Sequence, residues 1–235
     1  MKLPLPDPEA RAALRAGGVE DPLAERLAVF AALVLDASRR LNLTGSKTGA
    51  AFAEHILDAL TLRGDVAGPL VDVGSGNGVP GIPLALATGI RVTLIEPIKK
   101  RAAFLSAALD ALGIAGEAVA ARAEEAAHDP AYREQYRCAT ARAVASAPAV
   151  AELTVPFLAV GGRALLQRGI LSAAERNAVA DAALVLGAEL VEERPLGGDR
   201  RVVVLEKRTP TGPRFPRKNG IPAKRPLCIG LDARL

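Results

Sequence analysis

Apolar positions recur along this chain with two distinct periods. Over residues 22–40, Leu23, Leu27, Phe30, Val34 and Leu35 fall at helical spacing and predict an amphipathic helix. Phe52, Ile56 and Leu60 repeat that spacing and predict a second helix over 49–62. Between them lies LNLTGSKTG, with Thr44, Ser46 and Thr48 as possible caps. From residue 70 the pattern changes to short apolar runs separated by helical stretches. Residues 70–73 read as a buried parallel strand, and 91–96 (RVTLIE), 117–122 (EAVAAR), 136–141 and 163–168 (RALLQR) as further strands. Helices are expected over 79–87, 98–112, 149–158 and 172–186, with a short helical piece after the third strand. Residues 188–193 and 201–206 (RVVVLE) read as a closing hairpin on the sheet edge.

Five βα units and a closing strand pair predict an α/β fold. The Rossmann-like methyltransferase architecture describes this pattern better than a barrel. Its sheet would be mostly parallel, with an antiparallel edge strand and helices on both faces. Residues 1–68 are expected as an N-terminal helical cap, 69–207 as the Rossmann-like domain and 208–235 as a basic, Pro-rich tail. Pro210, Pro213, Pro216, Pro222 and Pro226 predict that the tail is extended, not helical.

Composition narrows the class. At 235 residues and 50% hydrophobic, the chain can bury one sizeable core. Aromatics make up 3% and Trp is absent, which argues against an RNA surface built from stacking platforms. Cys138 and Cys228 are far apart and lack metal-type spacing, so a reducing compartment and no metal are expected. Asp7 and Glu9 stand where a signal peptide needs apolar residues, and the apolar stretch Leu27–Leu35 is too short to span a bilayer. A soluble cytoplasmic protein is expected. The net charge of +4 hides an asymmetry: residues 194–235 hold eleven Lys/Arg against Asp199, Glu206 and Asp232, a surplus of eight that leaves the rest at −4. A basic end on an acidic body suggests a polyanionic partner, against the alternative of a tail that aids solubility.

The chemistry centres on residues 70–87, LVDVGSGNGVPGIPLALA: strand, glycine turn, helix. Such a turn lets backbone approach a ligand. Two ligands compete for it. GNGVPG, 76–81, satisfies the dinucleotide fingerprint G-x-G-x-x-G. Yet in a dinucleotide site the first glycine follows the strand directly, and here the strand ends at Gly74. The fitting register is Asp72, then Gly74, Gly76 and Gly78, a carboxylate two residues before G-x-G-x-G as in S-adenosylmethionine sites. Pro80 and Pro83 would also weaken an anion hole. The methyl donor is favoured, and a nicotinamide-dependent oxidoreductase stays as the alternative.

Glu96 closes the second strand, where a carboxylate can accept from both ribose hydroxyls. Ala123-Glu124 follows the third strand, where adenine would be expected; Glu124 could equally cap a short helix. Arg142 ends the fourth strand and could grip a carboxylate or phosphate, or form a salt bridge. No D/N-P-P-Y/F follows that strand, which disfavours methylation of an exocyclic amine. Cys138 falls inside a strand and reads as a core thiol. His55, alone on a helix, reads as structural. No proton-abstracting machinery is evident, so a substrate atom already nucleophilic at neutral pH would suit the site. A small-molecule methyltransferase and a non-catalytic RNA-binding factor are further alternatives.

LNLTG (41–45), EHILDAL (54–60), DVGSGNGVPGIPLAL (72–86), LIEPIKKRAAFL (94–105), ARAEE (121–125), TARAVA (140–145) and FPRKNGIPAKRPL (215–227) together resemble one family. It is the bacterial small-subunit rRNA methyltransferase family RsmG, also called GidB, and the similarity covers nearly the whole chain in order. The resemblance implies methyl transfer from S-adenosylmethionine to N7 of one guanine in the 530 loop of 16S rRNA. It implies a cytoplasmic enzyme whose partner is 16S rRNA or the small ribosomal subunit; a monomer is expected. Gly74 and Val79 match cofactor-contacting positions, Ala123-Glu124 the adenine-side pair, and Arg142 the arginine near the methyl-transfer centre. Arg200, Arg201, Arg217, Lys218, Lys224 and Arg225 would bind RNA phosphates. The departures are Asn77, where many members have Pro or Gly, Val79 for Leu, and Gln167-Arg168-Gly169 for the usual Lys-Gly.

Overall fold

A computed structural model describes residues 3–142 and 145–228. Three helices come first, α1 (Pro8–Ala16), α2 (Leu23–Leu41) and α3 (Gly49–Leu60). Two were expected. The additional α1 opens on Asp7, whose carboxylate accepts from the Ala10 N–H at 2.8 Å, with Pro8 in the first turn. It buries only Ala10 and Leu14, too thin an apolar stripe to stand out in the periodicity. Then follow β1 (Leu70–Val73), α4 (Gly81–Thr88), β2 (Val92–Ile95), α5 (Lys99–Leu112), β3 (Gly116–Val119) and α6 (Ala123–Ala126). The chain continues with β4 (Tyr136–Arg142), α7 (Ala147–Thr154), a 3-10 turn (Val155–Phe157), β5 (Leu158–Arg168), α8 (Ala173–Val185), β6 (Ala188–Gly197), β7 (Arg200–Lys207) and α9 (Ile221–Lys224).

The strands form one sheet in the order β3-β2-β1-β4-β5-β7-β6. The pairs β2–β3, β1–β4 and β4–β5 are parallel, and β7 runs antiparallel to both β5 and β6. This is the mostly parallel Rossmann-like sheet with an antiparallel edge that the alternation predicts. β5 starts earlier than expected because Leu158 already pairs with Tyr136, ahead of a bulge that the apolar pattern does not reveal. One correction concerns the tail, which contains a single helical turn. Gly220, at φ 76°, reverses the chain into α9, and Pro222 sits in its first turn, where a missing N–H costs nothing.

The chain divides into two compact units, Met1–Val66 with Ser75–Ala120, and Ala67–Gly74 with Ala121–Leu235. In the first, α1, α2 and α3 pack on one another, α2 and α3 reach α4, and α2 reaches α5. Phe30 and Phe52, both fully buried, stack at 5.8 Å, and His55 lies edge-on to Phe52 at 6.1 Å, the structural part expected for it. In the second, α7 covers β4 and β5 and contacts α8, while α8 lies on β6. Tyr136 and Phe157 meet edge-on at 6.1 Å, and Cys138, on the same strand as Tyr136, is buried.

Candidate cofactor site and nucleic-acid interface

A glycine-rich turn joins β1 to α4. Gly74, Gly76 and Gly78 have φ of 71°, 52° and 93°, a region that L side chains rarely adopt. Gly81 is the first residue of α4 and is not among the glycines with positive φ. Positive φ thus falls on the alternate glycines that follow Asp72. At Gly78 a Cβ would also come within 2.7 Å of Ile82 Cδ1. The start of α4 is poorly suited to a pyrophosphate. Ile82 N–H donates to Gly78 O at 2.8 Å, Leu84 N–H donates to Pro80 O at 3.1 Å, and Pro83 has no N–H.

The turn is stitched to the end of β2 in the same unit. Ser75 N–H donates to Ile95 O at 3.0 Å. Glu96, 3% exposed, accepts from Gly76 N–H through Oε2 at 3.0 Å and from Ile98 N–H through Oε1 at 2.8 Å. Asn77 accepts from Val79 N–H at 3.1 Å and so shapes the turn. Glu96 thus does more than the sequence suggested: it holds the glycine loop in shape. Each carboxylate oxygen keeps a second lone pair, so the group can still accept from hydroxyls. An acceptor of this kind, beside a turn that side chains would obstruct, fits the diol of an adenosine moiety.

In the second unit, Asp72 on β1 faces Thr140 on β4 in register. Thr140 Oγ1 donates to Asp72 Oδ1 at 2.9 Å, and both residues are buried. Arg142 is two residues beyond Thr140, on the same face of β4, half-buried and paired in register with Gln167. Arg168 donates to Ala145 O at 2.9 Å, and burial holds its guanidinium below the usual arginine value. Ala123 and Glu124 open α6, both buried. The Glu124 carboxylate accepts from Gly220 N–H at 2.7 Å and from Arg122 Nη2 at 3.3 Å. Glu124 lies in the first turn of this short helix, as the capping alternative has it, and its carboxylate also bonds the tail.

The expected RNA-contacting cations separate into two groups. Lys218, Lys224, Arg225 and Arg200 are exposed and Arg201 is half-buried. Arg200 and Arg201 flank the β6–β7 turn, bonding Gly197 O and Gly198 O. Arg217 is different. Its guanidinium grips the fully buried Glu152 of α7 at 2.7–3.1 Å and Arg225 O at 2.6 Å, so its charge serves the fold. Sequence reasoning passed over Glu152, although a lone carboxylate within APAVAELT is a buried-charge signal. It also passed over Lys207, fully buried on β7, whose ammonium donates to Glu134 at 3.0 Å and Val155 O at 3.1 Å. Burial holds Lys207 below the usual lysine value, with the Glu134 carboxylate opposing that shift. Burial acts to raise Glu134, but the Thr211 N–H and the Lys207 ammonium outweigh it and hold the carboxyl below its ordinary value.

Residues 23–203 match the family described as rRNA small subunit methyltransferase G (GidB). The chain belongs to that family. A relative of the same name from Rubrobacter xylanophilus is 45% identical over 216 residues, covering 85% of this chain and 82% of its own. The family member from Pelotomaculum thermopropionicum is 40% identical over 210 residues, covering 84% and 88%. Among solved structures, a variant of MtNAS in complex with S-adenosylmethionine shares the fold, with a TM-score of 0.53 at 13% identity, over 87% of this chain and 85% of that one. The fold is that of the Rossmann-like S-adenosylmethionine-dependent methyltransferases. Among the described residues no helix is long and apolar enough to cross a membrane, and no group of His, Cys, Asp and Glu is arranged to hold a metal ion.

Proposed function

We propose that this protein transfers the methyl group of S-adenosylmethionine to N7 of a single guanine in the 530 loop of 16S rRNA, acting as a cytoplasmic monomer. The observation that carries the reading is the Glu96-braced glycine loop, with its positive-φ glycines in the methyl-donor register, in a member of this rRNA methyltransferase family. When bound, the cofactor supplies an electrophilic methyl on a sulfonium. Glu96 accepts from the ribose hydroxyls, and Gly74, Gly76, Gly78 and Val79 bring backbone close to the ligand. Asp72 and Ala123-Glu124 complete the cofactor set, and Arg142 positions the reacting end.

Guanine N7 carries an in-plane lone pair that is unprotonated at neutral pH. Methyl transfer to it needs alignment more than proton removal, which suits a site with no evident general base. In duplex RNA, N7 lies in a deep and narrow groove, so the target base must be looped or splayed out. Arg200, Arg201, Lys218, Lys224 and Arg225 would hold phosphates and position the RNA without reading its sequence; Arg217 is set aside because Glu152 holds it. Incubation with tritiated cofactor and unmodified 16S rRNA or small subunits should label the RNA. Turnover of a small molecule with no label in RNA would favour the other methyltransferase reading, and binding of NAD(H) in place of S-adenosylhomocysteine the oxidoreductase one.

A further inference from the structure

Residues 211–220 are strapped to their own unit by side chains that lie far back in the sequence. Arg133 donates to Thr211 O at 2.7 Å, Phe215 O at 2.8 Å and Gly212 O at 3.1 Å. Glu134 accepts from Thr211 N–H at 2.8 Å, and His128 Nε2 bonds Pro216 O at 2.7 Å. Glu152 accepts the Arg217 backbone N–H at 2.7 Å as well as its guanidinium. Three residues on, Gly220 N–H donates to Glu124 Oε1 at 2.7 Å, and the Asn219 side chain bonds Glu125.

A tail that only attracts phosphate has no need of a buried carboxylate. Glu152 is costly to desolvate unless its partner is held in good geometry, so the ion pair fixes where the following residues lie. Gly220, with φ 76°, then turns its amide onto Glu124. Glu124 is the second residue of a helix only four residues long, which has little stability of its own. Its carboxylate is held by the strap's Gly220 amide at 2.7 Å, with Arg122 at 3.3 Å as its other partner.

We propose that this strap is a positioning device for the cofactor: the Glu152–Arg217 pair places the Gly220 amide, and that amide fixes Ala123-Glu124. The inference rests on the proposed adenine-side role of Ala123-Glu124. Arg217 is then a positioning residue that acts through Gly220 and Glu124.

The test is calorimetric titration of S-adenosylhomocysteine into the full chain, well below the melting temperature of every variant. Arg217→Ala should lose roughly tenfold in affinity, inside the usual range for coupling between sites. Glu124→Ala should lose as much, and the double variant no more than either alone. Arg217→Lys, which keeps the charge but not the fork, should fall between. Arg214→Ala removes the same charge from an exposed point on the strap and should leave affinity unchanged. Unaltered affinity in Arg217→Ala alongside a loss in Glu124→Ala overturns the strap proposal and leaves the adenine-side reading standing. Unaltered affinity in Glu124→Ala overturns that reading itself. If Arg217→Ala does not fold, the double variant Glu152→Leu, Arg217→Met removes the pair at similar volume and should show the same loss.

Discussion

Replacing Glu96 with Ala removes one carboxylate that serves two purposes, and the two losses can be measured separately. In the ligand-free protein its oxygens accept from the Gly76 and Ile98 amides at 3.0 and 2.8 Å. Leaving two such donors without an acceptor costs roughly 1–1.5 kcal/mol each, about 2–3 kcal/mol together. In a chain of this size each kcal/mol is worth roughly 2–4 °C, so melting should fall by roughly 4–12 °C. Cofactor binding then loses the hydroxyl bonds, about 1–3 kcal/mol or roughly 5- to 150-fold in affinity. Glu96→Gln keeps one acceptor but turns a donor toward one of the two amides, so it should lose stability as well. Calorimetry with S-adenosylhomocysteine and thermal melts of the same samples read both effects. An unchanged melting temperature would refute the bracing of the loop. Unchanged affinity in a folded, destabilised variant would show that this carboxylate does not receive the ribose.

Gly78→Ala should weaken cofactor binding and cost roughly 1–2 kcal/mol of stability, since φ is 93° and the new Cβ meets Ile82; a wild-type melt would contradict it. Arg142→Ala should lower kcat far more than S-adenosylhomocysteine affinity, whereas an equal loss in both would assign Arg142 to cofactor binding alone. The double variant Lys224→Ala, Arg225→Ala should weaken RNA binding and flatten its salt dependence; an unaltered slope would exclude phosphate contacts there. Glu134 has a lowered folded-state value, so its contribution is present above the ordinary glutamate range and is lost as pH falls through the folded value. Glu134→Gln should accordingly melt lower near neutrality and show a shallower loss of stability on acidification; an unchanged acid limb would show that the carboxylate is not linked to folding.

The fold was legible because its signals are local. Apolar runs marked the strands, and the alternate glycines counted from the strand's end, Gly74, Gly76 and Gly78, are ones that adopt positive φ. What stayed hidden depends on partners distant in sequence. α1 has clear caps at Asp7 and Pro8 but a thin apolar face. The bulge at Tyr136 and Cys138 lengthens β5 through pairing, not composition. The tail read as basic and extended because charge and proline dominate its composition. Its fixed position comes from Arg133, Glu134, Glu152 and Glu124, which lie 65 to 96 residues away from the atoms they bind. Arg217 and Lys218 are adjacent and equally charged, yet only contact with Glu152 distinguishes a structural cation from an exposed one.

Methylation at N7 leaves a chemical mark that no other guanine position shares. Unmodified 16S rRNA, free or in small subunits, should take up label from tritiated S-adenosylmethionine in the presence of the protein. Treatment with borohydride and then aniline should cut the labelled RNA at one guanine in the 530 loop. Labelled RNA that resists cleavage would contradict N7 as the methylated atom.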